Sequence, residues 1–156
     1  MQRYQWSRLN KQQVGAFTEY FVKMELTMYG FQVYSTEVDD PGVDFVARYK
    51  HGSFFQVQVK SLRGWGYVFL PKTTFFVKDD LYLALGLLTD GAPPELYLVP
   101  ATAWVAPDGC FVSRDYGEGL QSEPEWGVNV SRRNLPKLER FRFQSVAEKL
   151  MAESEK

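Results

Sequence analysis

Between Lys11 and Tyr29 the apolar positions Val14, Phe17, Phe21, Met24 and Met28 recur at steps of three and four, the period of one face of an α-helix. No proline interrupts the segment. Gly30 follows it, and glycine readily takes the left-handed conformation just past a helix end. A second, smaller stripe holds Gly15, Val22 and Leu26 together with Glu19, so the spacing predicts a helix covered on two faces.

After Gly30 the period changes to two. "FQVYSTEV" and "VDFVARYK" flank the turn "DDPG", and a second turn, "HGS", leads into "FFQVQVKS". In this third strand Phe55, Val57 and Val59 point to one face and Gln56, Gln58 and Lys60 to the other. The polar row either meets water or lines a site. "GYVFL" reads as a short strand, and "LYLALGLL" and "ELYLVP" read as two buried strands joined by "TDGAPP". Gly, Pro, Ser and acidic residues dominate positions 106–127, which predicts loop with short strands at "CFVS" and "WGVNV". "LPKLERFRF" and "SVAEKLMAE" have helical spacing. No internal repeat, low-complexity tract or linker is visible, so residues 1–156 are expected to form a single α/β domain.

Composition narrows the chemistry. A chain of 156 residues with 45% hydrophobic and 16% aromatic content can bury an aromatic-rich core without disulfides. Eighteen Lys plus Arg against 19 Asp plus Glu give a formal charge of −1, so any nucleic-acid contact must rest on a local patch. Cys110 is the only cysteine and His51 the only histidine, which excludes an intrachain disulfide and zinc sites built on several such ligands. A Cys–His nucleophile is disfavoured by their separation in sequence, and Cys110 reads as an inert thiol. The polar start "MQRYQWSRLNKQQ" and the lack of any long apolar run lead us to expect a soluble, cytoplasmic protein with no membrane contact.

Three features fall close together: Asp44 just after "DDPG", Gln58 to Lys60 in "QVK", and Glu19 on the preceding helix. If the two strands pair around "HGS", Asp44 lies beside the end of the third strand that bears Gln58 and Lys60. Hydrolysing a phosphodiester calls for a hard cation such as Mg²⁺ on oxygen ligands. Asp44 offers a carboxylate, Gln58 an amide oxygen and Val59 a backbone carbonyl, while Glu19 could add a second carboxylate. The Lys60 ammonium could stabilise developing charge or orient the attacking water.

"PGVD", thirteen residues and then "QVK" resemble the signature of the PD-(D/E)XK nuclease superfamily, in a form with glutamine at the second acidic position. The resemblance covers Val14 to Leu62, and Glu19 matches the glutamate that such enzymes often carry on their first helix. It implies a restriction-endonuclease-like αβββαβ core, a mixed central β-sheet flanked by helices, as in uncharacterised bacterial members. It also implies a metal-dependent endonuclease with Mg²⁺ or Mn²⁺ as cofactor and DNA as substrate. Catalytic roles would fall to Asp44, Gln58, Lys60 and Glu19, and metal contacts to Asp44, Gln58, Val59 and Glu19. A homodimer would suit an enzyme that cuts both strands, although no stretch marks an interface. The alternative is a weak or inactive member of the fold that binds nucleic acid or protein, because a neutral amide holds metal less tightly than a carboxylate.

Other positions have weaker claims. Gln56 suits a supporting hydrogen bond. Arg63, Lys72, Arg132 and Arg133 are candidate phosphate contacts. Trp65 could stack on a base next to Arg63, but a core position is favoured for so large a ring. In the cluster Arg132, Arg133, Lys137, Arg140 and Arg142, the interspersed Glu139 favours an ordinary solvated surface.

Overall fold

Asn10 starts the first helix by a reciprocal exchange: its side chain accepts from the Gln13 amide at 2.8 Å, and the Gln13 side chain accepts from the Asn10 amide at 2.9 Å. The computed structural model, which describes residues 3–119 and 121–156, runs this helix, α1, from Lys11 to Met28. Gly30, at φ +94°, turns the chain into the first strand. The strands are β1 (Phe31–Asp40), β2 (Val43–Tyr49), β3 (Phe55–Arg63), β4 (Gly66–Pro71), β5 (Leu81–Leu88), β6 (Glu95–Pro100), β7 (Phe111–Arg114) and β8 (Glu125–Val130). Two helices, α2 (Leu135–Glu139) and α3 (Phe143–Ser154), complete the order.

Five strands form a central mixed sheet in the order β1-β2-β3-β5-β6, with β3 and β5 parallel and the other pairs antiparallel. A second sheet, β4-β8-β7, is antiparallel. Strand β5 is buried on both faces, and its unbroken apolar run "LYLALGLL" reflects that position. On one face Leu83, Leu85, Tyr97 and Val99 pack with Val68, Leu70, Phe111 and Val128 of the second sheet. On the other, Phe45, Val57, Ala84 and Leu98 pack with Val22 and Leu26 of α1 and Val146 and Ala147 of α3.

The architecture is the mixed α/β arrangement expected from the sequence, with a difference in the crossover between the parallel strands β3 and β5. Such crossovers usually carry a helix. Here β4 and the segment 72–80 make the connection, and no helix lies in it. The alternation in "GYVFLP" and the proline at position 71 suit a strand and its end rather than a helix.

The burial of α1 corrects the reading of its two stripes. Val14, Thr18, Val22 and Leu26 face inward, whereas Met24 and Met28 are 59% and 82% exposed. Gly86 of β5 explains the choice: a Cβ there would lie 2.8 Å from Thr18 Cγ2, so the helix sits where the sheet has no side chain. The Thr18 hydroxyl is satisfied within the helix, donating to the Val14 carbonyl at 2.8 Å. Burying Val22 and Leu26 on this face contributes about 1.5–3 kcal/mol each.

Candidate active site

The ladder between β2 and β3 runs through Ala47–Phe55, Val46–Gln56 and Phe45–Val57, and pairing stops there. Strand β3 continues beside β5 as far as Arg63. The next β3 amide on the open side belongs to Val59, and the Asp44 side chain takes it: Oδ2 accepts from the Val59 N–H at 2.6 Å. In a strand the amide and carbonyl of one residue point to the same edge, so the Val59 carbonyl is directed to the Asp44 side as well. Asp44 and Val59 therefore meet where the two strands part, with Gln58 the residue before Val59 on β3.

Burial pushes the Asp44 carboxyl above the usual carboxylate range. The charges of Glu19 and Asp39 act in the same direction, and the Val59 hydrogen bond and the Lys60 ammonium oppose them. Glu19 and Lys60 are thus close enough to act on Asp44 electrostatically, one from α1 and one from β3. Among the described residues Lys60 makes no hydrogen bond or close ion pair, which leaves its ammonium available.

The two glutamines of β3 share a face but not a fate. Gln56 Oε1 accepts from the Lys78 ammonium at 2.7 Å, in the supporting role its position suggests. Gln58 Oε1 is buried without any hydrogen-bond partner, a condition shared among the described residues only by the Tyr97 hydroxyl. Leaving a buried amide oxygen unpaired costs about 1–3 kcal/mol. An oxygen in that state, one residue from the Val59 amide that Asp44 accepts, is a ready ligand for a hard cation.

Sequence reasoning missed Lys23. One turn after Glu19, it bonds Glu19 Oε2 at 3.2 Å and Ser35 Oγ of β1 at 3.2 Å, and its ammonium lies 5.5 Å from the Phe45 ring centre. The i,i+4 spacing from Glu19 was a usable signal; the Ser35 contact was not. Among the described residues no group of three or more His, Cys, Asp or Glu side chains is placed to hold a metal. The available donors are two carboxylates, one amide oxygen and one backbone carbonyl, which fits Mg²⁺, an ion commonly bound through one or two carboxylates with several waters retained.

The remaining candidates lie apart from this set. The Arg63 guanidinium donates to the Trp6 and Leu9 carbonyls, both at 2.8 Å, and so ties the N-terminal segment to β3. Lys72 donates to Ser113 Oγ at 2.6 Å, pairs with Asp115 at 2.9 Å and sits 4.0 Å over the Trp126 ring. Arg132 and Arg133 are exposed in the turn after β8. Trp65 is 56% exposed and makes no ring contact among the described residues, contrary to the expected core position. It occupies the two-residue link from β3 to β4, after Gly64 at φ +77°, at the rim of a pocket rather than inside the core. Cys110 is fully buried, and burial, assisted by Asp108, pushes its thiol up to about 11, in keeping with an inert group.

No protein-family model matches the chain, and no curated protein does. Solved structures do. The chain is similar to Hjc, a Holliday junction resolvase of Archaeoglobus fulgidus, at 15% identity and a TM-score of 0.54, over 86% of this chain and 95% of that one. It is also similar to the bacterial homing endonuclease I-Ssp6803I, at 17% identity and a TM-score of 0.56, over 94% and 97%. The protein therefore has the fold of these nucleases, the restriction-endonuclease-like class expected from its sequence.

Proposed function

We propose that the protein is a glutamine-bearing member of the PD-(D/E)XK group that hydrolyses DNA phosphodiester bonds with Mg²⁺ or Mn²⁺. The observation that carries this reading is the unpartnered, buried Gln58 Oε1, one residue from the Val59 amide that Asp44 accepts. Asp44, Gln58, the Val59 carbonyl and Glu19 would hold the cation. When bound, the ion supplies Lewis-acid polarisation of the phosphoryl oxygen and lowers the pKa of the attacking water. Val59 N–H holds the Asp44 carboxylate in one orientation. Lys60, without a hydrogen bond or close ion pair among the described residues, donates to the charge that builds on the phosphoryl oxygens. Partial burial of these groups strengthens each electrostatic contact relative to water. The two nucleases that share the fold support DNA as the substrate class.

The test is incubation with supercoiled, linear, branched and single-stranded DNA in Mg²⁺ or Mn²⁺, beside an Asp44→Ala control. Cutting that needs metal and Asp44 is expected; cutting without metal, or equal cutting by the control, sinks the proposal.

A second reading, a non-catalytic nucleic-acid- or protein-binding member of the fold, is favoured by the Lys23–Glu19 ion pair, which already neutralises one of the two carboxylates. Calorimetric titration with Mn²⁺ separates the two. Binding abolished by Asp44→Ala supports the enzyme, and its absence supports the binding module.

A further inference from the structure

Trp65 is an exposed indole in a chain whose other tryptophans are better covered: Trp6 and Trp104 are 2% and 1% exposed, and Trp126 is partly buried. An exposed ring of this size offers a partner a wide flat apolar face. Register identifies its neighbours. Gly66 pairs with Val130 at the end of the β4–β8 ladder, so the Gly64–Trp65 link lies beside the Ser131–Arg133 turn. Arg133 and Gly66 line one groove, and Trp65 lines the adjoining pocket of about 310 Å³ with Leu87, Leu88, Thr89, Glu95 and Leu135.

The charges at this place are available. In the basic cluster, Arg142 is held by Glu139 through two bonds of 2.9 Å, Lys137 lies 3.8 Å from Asp108, and Arg140 covers the Phe141 ring. Arg132 and Arg133 are exposed and have no such partner among the described residues. An exposed aromatic ring on a link that lies beside a turn carrying two arginines with no ion pair among the described residues matches nucleic acid, in which π faces and phosphates alternate along a strand. Glu95 repels phosphate from the pocket itself, so the pocket suits a neutral base and the arginines suit the backbone.

We propose that Trp65, with Arg132 and Arg133, forms a second nucleic-acid contact in which the indole stacks on an unpaired or unstacked base of the DNA. This rests on the nucleic-acid reading of the Asp44 site and narrows its substrate to DNA that offers such a base: a bulge, a branch or a single strand. In a paired duplex both faces of each base are already stacked, and entry of a ring costs unstacking energy. Trp65 stands five residues beyond Lys60, in the link just past the end of β3, at most about 17 Å away, or roughly five base steps of a duplex. One DNA molecule can touch both places.

Binding is measured in EDTA by fluorescence anisotropy, with labelled duplexes that are fully paired or carry a three-nucleotide bulge. The wild-type protein is expected to prefer the bulged DNA, and its tryptophan emission, taken as the difference from Trp65→Phe, is expected to fall on binding. Trp65→Ala should lose about tenfold or more on bulged DNA and little on paired DNA, and Trp65→Phe should recover most of the loss. Arg132→Ala with Arg133→Ala should weaken both DNAs alike and lower the salt slope by about one for each arginine. Equal loss of both DNAs on Trp65→Ala, or no emission change in the wild type, overturns the proposal. Cleavage in Mg²⁺ is scored separately: a protein that binds as described but does not cut refutes hydrolysis alone, and one that cuts without dependence on Trp65 refutes the stacking contact alone.

Discussion

The Asp44 carboxylate occupies the hydrogen-bonding position that a neighbouring strand would otherwise fill, accepting the Val59 amide at 2.6 Å just beyond the last β2–β3 pair. One side chain thus takes up the β3 amide at the place where the candidate site lies. Its raised proton affinity comes first from burial and then from Glu19 and Asp39. A carboxyl that binds its proton more tightly when folded stabilises the fold fully below the ordinary carboxylate pKa of about 3.9, and this contribution is lost as the pH rises through the raised folded value. At pH 7 without metal Asp44 therefore costs stability. Asp44→Asn, which can still accept from Val59, should melt above the wild type at pH 7, and the gap should close below about pH 3.9. Any DNA cleavage should fall by about a hundredfold or more. Thermal melts across pH and a nicking assay check both.

Gln58 can be exchanged in two directions. Gln58→Leu removes an unpaired buried oxygen, so the metal-free protein should melt at or above the wild-type temperature while Mn²⁺ affinity falls at least about tenfold. Gln58→Glu adds a third partly buried carboxylate to Asp44 and Glu19, so the metal-free protein should be less stable and Mn²⁺ binding tighter. Melting curves with and without Mn²⁺, together with calorimetry, give both readouts. Parallel changes in the two variants would count against a ligand role for this oxygen.

Lys23 competes with any cation for Glu19. Because the pair is partly exposed, Lys23→Met should change stability by less than about 1 kcal/mol. Mn²⁺ affinity should rise as Glu19 is released. A fall in affinity would instead mean that Lys23 and Ser35 hold Glu19 in its ligating position.

Gly86 sets the approach of α1 to the sheet. Gly86→Ala should destabilise the protein by about 1–3 kcal/mol, because the new methyl meets Thr18 Cγ2 at 2.8 Å and Leu96 Cδ2 at 3.5 Å. Adding Thr18→Ser removes the clashing methyl and keeps the hydroxyl bond to Val14, so the double variant should regain part of the loss in urea melts.

Cys110 should not react with a thiol-specific disulfide reagent in the native protein at pH 8. Burial keeps its sulfur protonated and out of reach, with a pKa of about 11. Full reaction in denaturant is the control, and rapid native labelling would show the burial to be wrong.

Alternation and short turns made the strands legible from the chain, because strand geometry imposes its period of two locally. The meeting of Asp44 with the Val59 amide was legible for a related reason: a short turn between paired strands leaves little freedom in register. Glu19 could be placed only through resemblance, since it lies on a helix that reaches the site from another part of the fold. The buried face of α1 was beyond reach, as two apolar stripes competed and a glycine at position 86 decided between them. Arg63 and Lys72 likewise looked like free cations until distant carbonyls and carboxylates engaged them. The sequence by itself determined the periodic elements, the hairpin and the row of polar side chains on β3. Only the tertiary structure decided which of those side chains have partners, because a hydrogen bond or steric fit between residues dozens of positions apart depends on packing that no local period records.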